Sequence, residues 1–333
     1  MRSNKRATRL WSLLAFILAG VLLYFSFRGT RISELVEILG GVNKLFLILT
    51  GFVVGFSYFV RGLRWRLLLS TEKSIPILTV FWANMIGYLG NIILPARAGE
   101  LLRSLVIGQN ASISGSFALG TGISERMLDA LVLVLIGTIS TSFVSDLPLW
   151  LLHTTQIMGV IALLGLLAMI LMPRFPNFFT RVVSTTPLSE RIKDRLVGLI
   201  RNFLLGLAAF QRPQQILRYS IYTSIIWFTD AFGAVIIANA LGFPLGIMQA
   251  LLFLAALGIS SAVPSTPGYL GIYQFVSITI LPIFNFSQQE ALVYIILLQL
   301  INYALVVALG LTGLWRMEIG LSRLLSLRRE QTL

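Results

Sequence analysis

The sequence predicts an all-α polytopic membrane protein with about six full spans and two broken re-entrant hairpins, arranged as an inverted repeat. Three observations carry this expectation. The chain is 56% hydrophobic and only 12% charged, with a mean hydropathy of +0.87, where soluble domains carry about 25% charged residues. Its basic residues fall in short segments beside apolar runs. Two of the apolar runs are broken by proline and glycine at corresponding places.

The elements follow in chain order. Leu10–Phe27 is an apolar run behind a basic start (Arg2, Lys5, Arg6, Arg9). It is long for a signal-peptide core, and Phe27-Arg28-Gly29 is a poor cleavage site, so it reads as a retained first span. Residues 31–43 mix Arg31, Glu34 and Glu37 with Ile32, Leu35, Val36 and Leu39, a short surface helix on the outer side. Residues 44–60 form a second span. Residues 76–108 read as a hairpin that enters from the cytosol and returns, broken at Pro95-x-x-x-Gly99. Residues 117–143 and 154–172 are spans. Residues 174–218 are a cytosolic segment in which Ile192, Leu196, Leu199, Phe203 and Leu207 recur at helical spacing opposite Arg191, Lys193, Asp194 and Arg201. This is an amphipathic helix on the inner leaflet, with Thr186 and Pro187 suited to its N-cap and first position. Residues 219–241 and 290–315 are spans. Between them, 247–285 is broken at Pro264-x-x-x-Gly268. Charge counting leaves it either a hairpin from outside or two full crossings.

Orientation comes from the basic residues. Four precede the first span, four lie at 61–73, eight at 174–218 and four at 316–329, which is 20 of the 26 Lys and Arg. All four segments are therefore placed in the cytosol, with both termini, in a plasma (inner) membrane. Three crossings between 74 and 174 would put the eight basic residues outside, so 76–108 does not cross. The whole chain is one transmembrane domain. Its halves, about 44–143 and 219–315, each hold a span, a broken hairpin and a span, in opposite orientation. Transporters often use such a repeat and bind substrate at the broken helices.

The net charge of +13 does not indicate nucleic acid, because the positive residues flank membrane segments and face anionic headgroups. There is no cysteine, so thiolate chemistry is excluded. The single histidine, His153, falls in a predicted external loop, which leaves no metal cluster and no His-based catalysis. No phosphate-cradling glycine loop occurs, so no cofactor is implied and the chain is not read as an enzyme.

The candidate site is the polar cluster at membrane depth, where charge is costly and usually functional. Arg97 and Arg103 offer forked donors suited to phosphate, with Glu100 between them. Glu125 and Asp129 are four apart and share a helix face, with Arg126 roughly 100° away. Asn91 and Asn84 add hydrogen-bonding groups. The second break supplies Pro264, Ser265, Thr266, Pro267 and Gly268. The cluster is either a self-neutralising network that holds helices together or an anion site for a lipid headgroup, with one carboxylate free to carry a proton. Asp230 reads as a helix–helix hydrogen-bonding group or a second proton relay. Arg61, Arg64 and Arg66 around Trp65 read as an interfacial anchor or as phosphate contacts.

These motifs together resemble a known family. Arg61-x-x-Arg64-Trp65, Asn91-x-x-Leu94-Pro95-x-Arg97-x-Gly99-Glu100-x-x-Arg103, Glu125-Arg126-x-x-Asp129 and Pro264-x-x-Pro267-Gly268-x-x-Gly271 are similar to those of the lysylphosphatidylglycerol synthase transmembrane family. This is the membrane portion of MprF-type proteins and also occurs alone. The resemblance covers roughly 10–315. It implies movement of an aminoacylated or other phosphate-bearing lipid between leaflets, not aminoacyl transfer, since the synthase domain does not follow. The partner expected is a membrane phospholipid or polyprenyl-phosphate lipid. Two other classes stay open: a non-catalytic partner of a separately encoded lipid-modifying synthase or glycosyltransferase, and an integral-membrane enzyme acting on a polyprenyl phosphate.

Overall fold

The computed structural model describes residues 17–94, 98–144, 147–186, 189–261 and 267–318. The described secondary structure is helical throughout. Helices α1 (Ile17–Phe27), α2 (Ile32–Gly40), α3 (Lys44–Leu69), α4 (Ile77–Ile93), α5 (Gly99–Ala111), α6 (Gly115–Thr141) and α7 (Leu149–Leu171) are followed by α8 (Pro176–Ser184) and α9 (Glu190–Leu207). Then come α10 (Pro213–Ala240), α11 (Ile247–Ser260), α12 (Ile272–Ile280) and α13 (Gln288–Arg316).

Four segments, Lys44–Leu69, Leu152–Arg174, Pro213–Ala240 and Gln288–Arg316, are long and apolar enough to cross a membrane. Helix α6 has the length, at 27 residues, but Glu125, Arg126 and Asp129 interrupt its hydropathy. Helices α11 and α12 have 14 and 9 residues. At 1.5 Å per residue the longer of them reaches about 21 Å, short of a hydrocarbon core of about 30 Å. That length favours the re-entrant alternative for 247–285.

The hairpin of α4 and α5 closes by backbone proximity. Gly99 stands so near α4 that a Cβ there would lie 1.9 Å from the Gly87 carbonyl oxygen and 2.5 Å from Asn91 Oδ1. Its N–H donates to Asn91 Oδ1 at 3.0 Å. Only glycine admits this approach. Between α11 and α12, Gly268 has a φ of +73°, in the left-handed region. Its carbonyl accepts from Gln299 Nε2 at 3.2 Å and from the Tyr303 hydroxyl, both on α13.

Helices α3 and α10 run antiparallel along their length. The Asn43 N–H meets the Ala240 carbonyl, Gly233 lies beside Thr50 and Val54, Arg61 bonds Asp230 and Arg64 bonds Thr223. Helix α13 packs on α4, where Gly310 and Gly313 admit Leu89 and Ile86. Helix α6 packs on α11, where Gly137 meets Ala255 and Gly258 meets Leu133. Exchanging α3 with α10, α4 with α11 and α6 with α13 maps these contacts onto one another.

Several sequence expectations differ in detail. The second span does not stop at residue 60; α3 continues to Leu69, which carries Arg61 and Arg64 inside the helix. His153 lies in the second turn of α7, not in a loop. The amphipathic helix is present as α9, but it starts at Glu190 behind Ser189. The Thr186 hydroxyl instead bonds back to the Val183 carbonyl at 2.6 Å, ending α8, and Pro187 lies outside the described residues. Nor does α9 merely float on a leaflet. Gly206 and the backbone of Asn202 and Phe203 seat against Gly120 and Thr121 of α6.

Candidate functional site between the two halves

The residues at the cluster fall into two layers. The inner layer is closed. Arg64, fully buried, grips Asp129 with both terminal nitrogens (2.6 and 2.8 Å), Glu125 at 3.0 Å and Thr223 at 3.3 Å. Arg103, 1% exposed, donates to Asn84 Oδ1 at 2.7 Å and to the second Glu125 oxygen at 3.0 Å, and lies 2.6 Å from Glu100. Its guanidinium stacks over Trp65 at 4.4 Å, and Trp65 donates to Thr121. Charges this deep persist only when paired and hydrogen-bonded. The network joins α3, α4, α5, α6 and α10. It matches the self-neutralising reading, and Asn84 supplies the hydrogen bond its polarity promised.

The outer layer faces a cavity of about 350 Å³. Helices α3, α4, α5, α6, α10, α11, α12 and α13, with the Gly268–Tyr269 turn, all contribute to its wall. Charged groups on the wall are Arg61, Glu100, Arg126, Asp129 and Asp230; Asn91, Gln299 and Asn302 add amides. Arg126 lies 3.0 Å from Glu100 and 3.7 Å from Asp129. Arg61 meets Asp230 at 2.5 Å and sits over the Trp227 ring at 5.4 Å. Five tyrosines, Tyr58, Tyr88, Tyr269, Tyr273 and Tyr303, line the same space. The rings of Tyr269 and Tyr273 stack at 4.9 Å.

Of the residues expected from sequence, Asn91, Glu100, Arg126, Asp129 and Gly268 reach the cavity. Arg103 and Glu125 do not; they lie behind its wall. Asn91 spends its carbonyl oxygen on the Gly99 N–H. The Pro267–Tyr269 turn is described. Arg97, Pro264, Ser265 and Thr266 lie outside the described residues.

The family model described as the lysylphosphatidylglycerol synthase TM region matches residues 12–310. The chain belongs to this family. The resemblance seen in the motifs is therefore borne out. Among curated relatives, Glycosyltransferase AglD of Haloferax volcanii is 24% identical over 306 residues, covering 82% of this chain and 48% of that protein. The UPF0104 membrane protein MJ1078 of Methanocaldococcus jannaschii is 27% identical over 223 residues, covering 66% of this chain and 90% of that protein. The chain thus spans about half of the first relative and most of the second. No solved structure matches. As a family member with four membrane-length helices, the chain is an integral membrane protein.

Some site residues were not legible as such. Asp230 makes the helix–helix hydrogen bond that was one of its two readings, from α10 to Arg61 on α3, while Arg61, read as an interfacial anchor or a phosphate contact, stands on the cavity wall. The available signal was spacing: Arg61 and Arg64 are three apart, so a helix extended by two turns puts both on one face. The five tyrosines come from four helices and the turn before α12, so no single periodicity brings them together.

Proposed function

We propose that this chain is a lipid flippase, moving a phosphate-bearing lipid between leaflets of the plasma (inner) membrane through the cavity between its halves. The observation that carries this is the cavity itself, walled by every helix of both triplets and bearing Arg61 and Arg126 among tyrosines. Arginine suits phosphate. Polar cavities at helix breaks in inverted repeats are where transporters bind, and the family supports a lipid substrate. In this reading the repeat halves are about 44–143 and 219–315. Arg61 and Arg126 take the headgroup phosphate in the cavity that Asn91 and Gly268 also line, Arg97 of the Pro-x-Arg-x-Gly-Glu motif is assigned to the same anion site, and Arg103 holds the site in shape. The acyl chains stay in the bilayer.

The reading is tested in liposomes carrying purified protein and fluorescent phosphatidylglycerol, with dithionite bleaching the outer leaflet. The wild type should raise the flip rate above empty liposomes. Arg126→Gln should slow it at least about tenfold, since a charge-assisted hydrogen bond contributes about 1.5–3 kcal/mol. No transfer with any phosphate-bearing lipid under imposed proton and potential gradients would remove the proposal.

Topology is tested separately. We place α8, α9 and both termini in the cytosol. The chain lacks cysteine, so Ser184→Cys, at an exposed position, reports alone. It should resist an impermeant maleimide in intact cells and react after permeabilisation. Ready labelling from outside inverts the arrangement.

A second reading is favoured by the relative named a glycosyltransferase: the chain serves as membrane partner to an enzyme that modifies a lipid-linked group. Loss of lipid glycosylation in cells without loss of flipping in liposomes would select it.

A further inference from the structure

The four arginines of the cluster are not equivalent. Arg64 and Arg103 each reach two carboxylates and a neutral acceptor, and both are sealed. Arg126 lies beside Glu100 and Asp129. Arg61 has a single carboxylate, Asp230, reached through one nitrogen. The two side chains are 13% and 18% exposed, and both line the cavity. This is the pair most easily exchanged for another ligand.

The wall around that pair holds surplus donors. Ser57 Oγ, Tyr88 OH, Trp227 Nε1 and Arg126 Nη2 have no hydrogen-bond partner among the described residues, and all four side chains line the cavity. Ser57 and Trp227 are 1% and 8% exposed. Ser57 is one turn from Arg61 on α3, and Trp227 is one turn from Asp230 on α10. Buried donors without acceptors are costly. A ligand with several oxygens and negative charge, such as a phosphate, is the kind of acceptor these donors lack.

We propose that a lipid phosphate docks on Arg61 by displacing Asp230, and that Asp230 takes a proton from solution as it is displaced, so lipid and proton are taken up together. The step conserves charge within the cavity. The Arg61–Asp230 ion pair breaks, a phosphate–Arg61 pair forms, and one proton from water joins the Asp230 carboxylate. Among the described residues the cluster balances Arg61, Arg64, Arg103 and Arg126 against Glu100, Glu125, Asp129 and Asp230. An added anion without a proton leaves an excess negative charge where the dielectric is low. Asp230 is the acid that loses its cation in the exchange. Around it, α3 supplies Arg61, Tyr58 and Arg64, the last already held by Asp129 and Glu125. Helix α11 carries no ionisable side chain, and α13 supplies Tyr294 and Tyr303, with Glu290 and Arg316 at its far ends. The cavity wall also holds Tyr88, Arg126 and Asp129. Uptake of the proton leaves no unpaired charge on α10 after the exchange.

The proposal rests on the lipid-moving reading and adds the coupling ion. Purified protein in weakly buffered detergent at pH 7 is titrated with dioctanoyl phosphatidylglycerol, whose only charge is its phosphate, and with dioctanoylglycerol as the uncharged control. Proton uptake is followed with a pH electrode. The wild type should take up about one proton per phospholipid bound and none with the control. Asp230→Asn should bind the phospholipid with proton uptake abolished. Asp230→Glu, which keeps a carboxylate if the amide variant does not fold, should retain uptake with a shifted pH midpoint. Flipping in liposomes together with binding that takes up no proton would overturn this inference and leave the lipid reading standing. So would unchanged uptake in Asp230→Asn, or pH-independent uptake in Asp230→Glu. Neither flipping nor binding by the wild type would overturn both.

Discussion

Arg64→Ala should destabilise the protein by about 3–5 kcal/mol, the cost of removing one partner from a buried ion pair. Arg64 is the only described contact joining α10, through Thr223, to both Glu125 and Asp129 of α6. Its removal leaves two carboxylates crowded beside Arg103 and Arg126 with no cation between them. The measurement is thermal unfolding of purified protein in detergent, where the midpoint should fall by on the order of 10 °C. Arg64→Lys should recover only part of this, because an ammonium keeps the charge but cannot span Asp129 with two parallel bonds. Arg126→Gln, on a side chain 31% exposed, should move the midpoint far less while still slowing lipid transfer. Equal loss from both variants would refute the division into a closed inner layer and an open outer one.

Gly99→Ala should prevent the first hairpin from closing. The added carbon would fall 1.9 Å from the Gly87 oxygen, 2.5 Å from Asn91 Oδ1 and 2.7 Å from the Asn91 nitrogen. Two of these are backbone atoms that no rotamer change removes. Overpacking usually costs about 1–3 kcal/mol; a backbone collision at a helix crossing belongs at or above that range. Expressed with a fluorescent tag, the variant should run as aggregate in size-exclusion chromatography. Gly115→Ala is the matched control, since a carbon there meets nothing closer than 3.9 Å, and it should elute like the wild type. A monodisperse Gly99→Ala protein with normal flipping would mean that α4 and α5 are not packed as described.

The reach of the sequence is clearest at particular residues. Glu125 and Asp129 share a face because four residues make slightly more than one turn, so their inward placement was legible. The hairpin ends were legible because proline and glycine interrupt apolar runs. What spacing does not encode is which arginine meets which acid. Arg103 and Arg126 are both near Glu100, yet one is sealed and the other faces the cavity. That difference comes from the crossing of α4, α5 and α6, set by Gly87, Gly90 and Gly99. From sequence, Arg64 reads as an interfacial anchor or a phosphate contact, because it follows the apolar run of 44–60. A helix that continues past its apolar stretch is stable here only because acids from α6 meet it, and that information lies sixty residues away.

The flanks of the two triplets differ, and this bears on energetics. If opening toward either leaflet consists of the halves exchanging conformations, the two open states are degenerate only when both halves are held alike. Here α6 carries the 18-residue α9, keyed in by Gly120 and Gly206, while α13 carries the 9-residue α2. The heavier buttress stands on the side that also bears the basic residues of 174–218. On the lipid-moving reading the degeneracy is lifted and α9 selects a resting orientation, with Gly120 and Gly206 as the positions at which that bias is tuned.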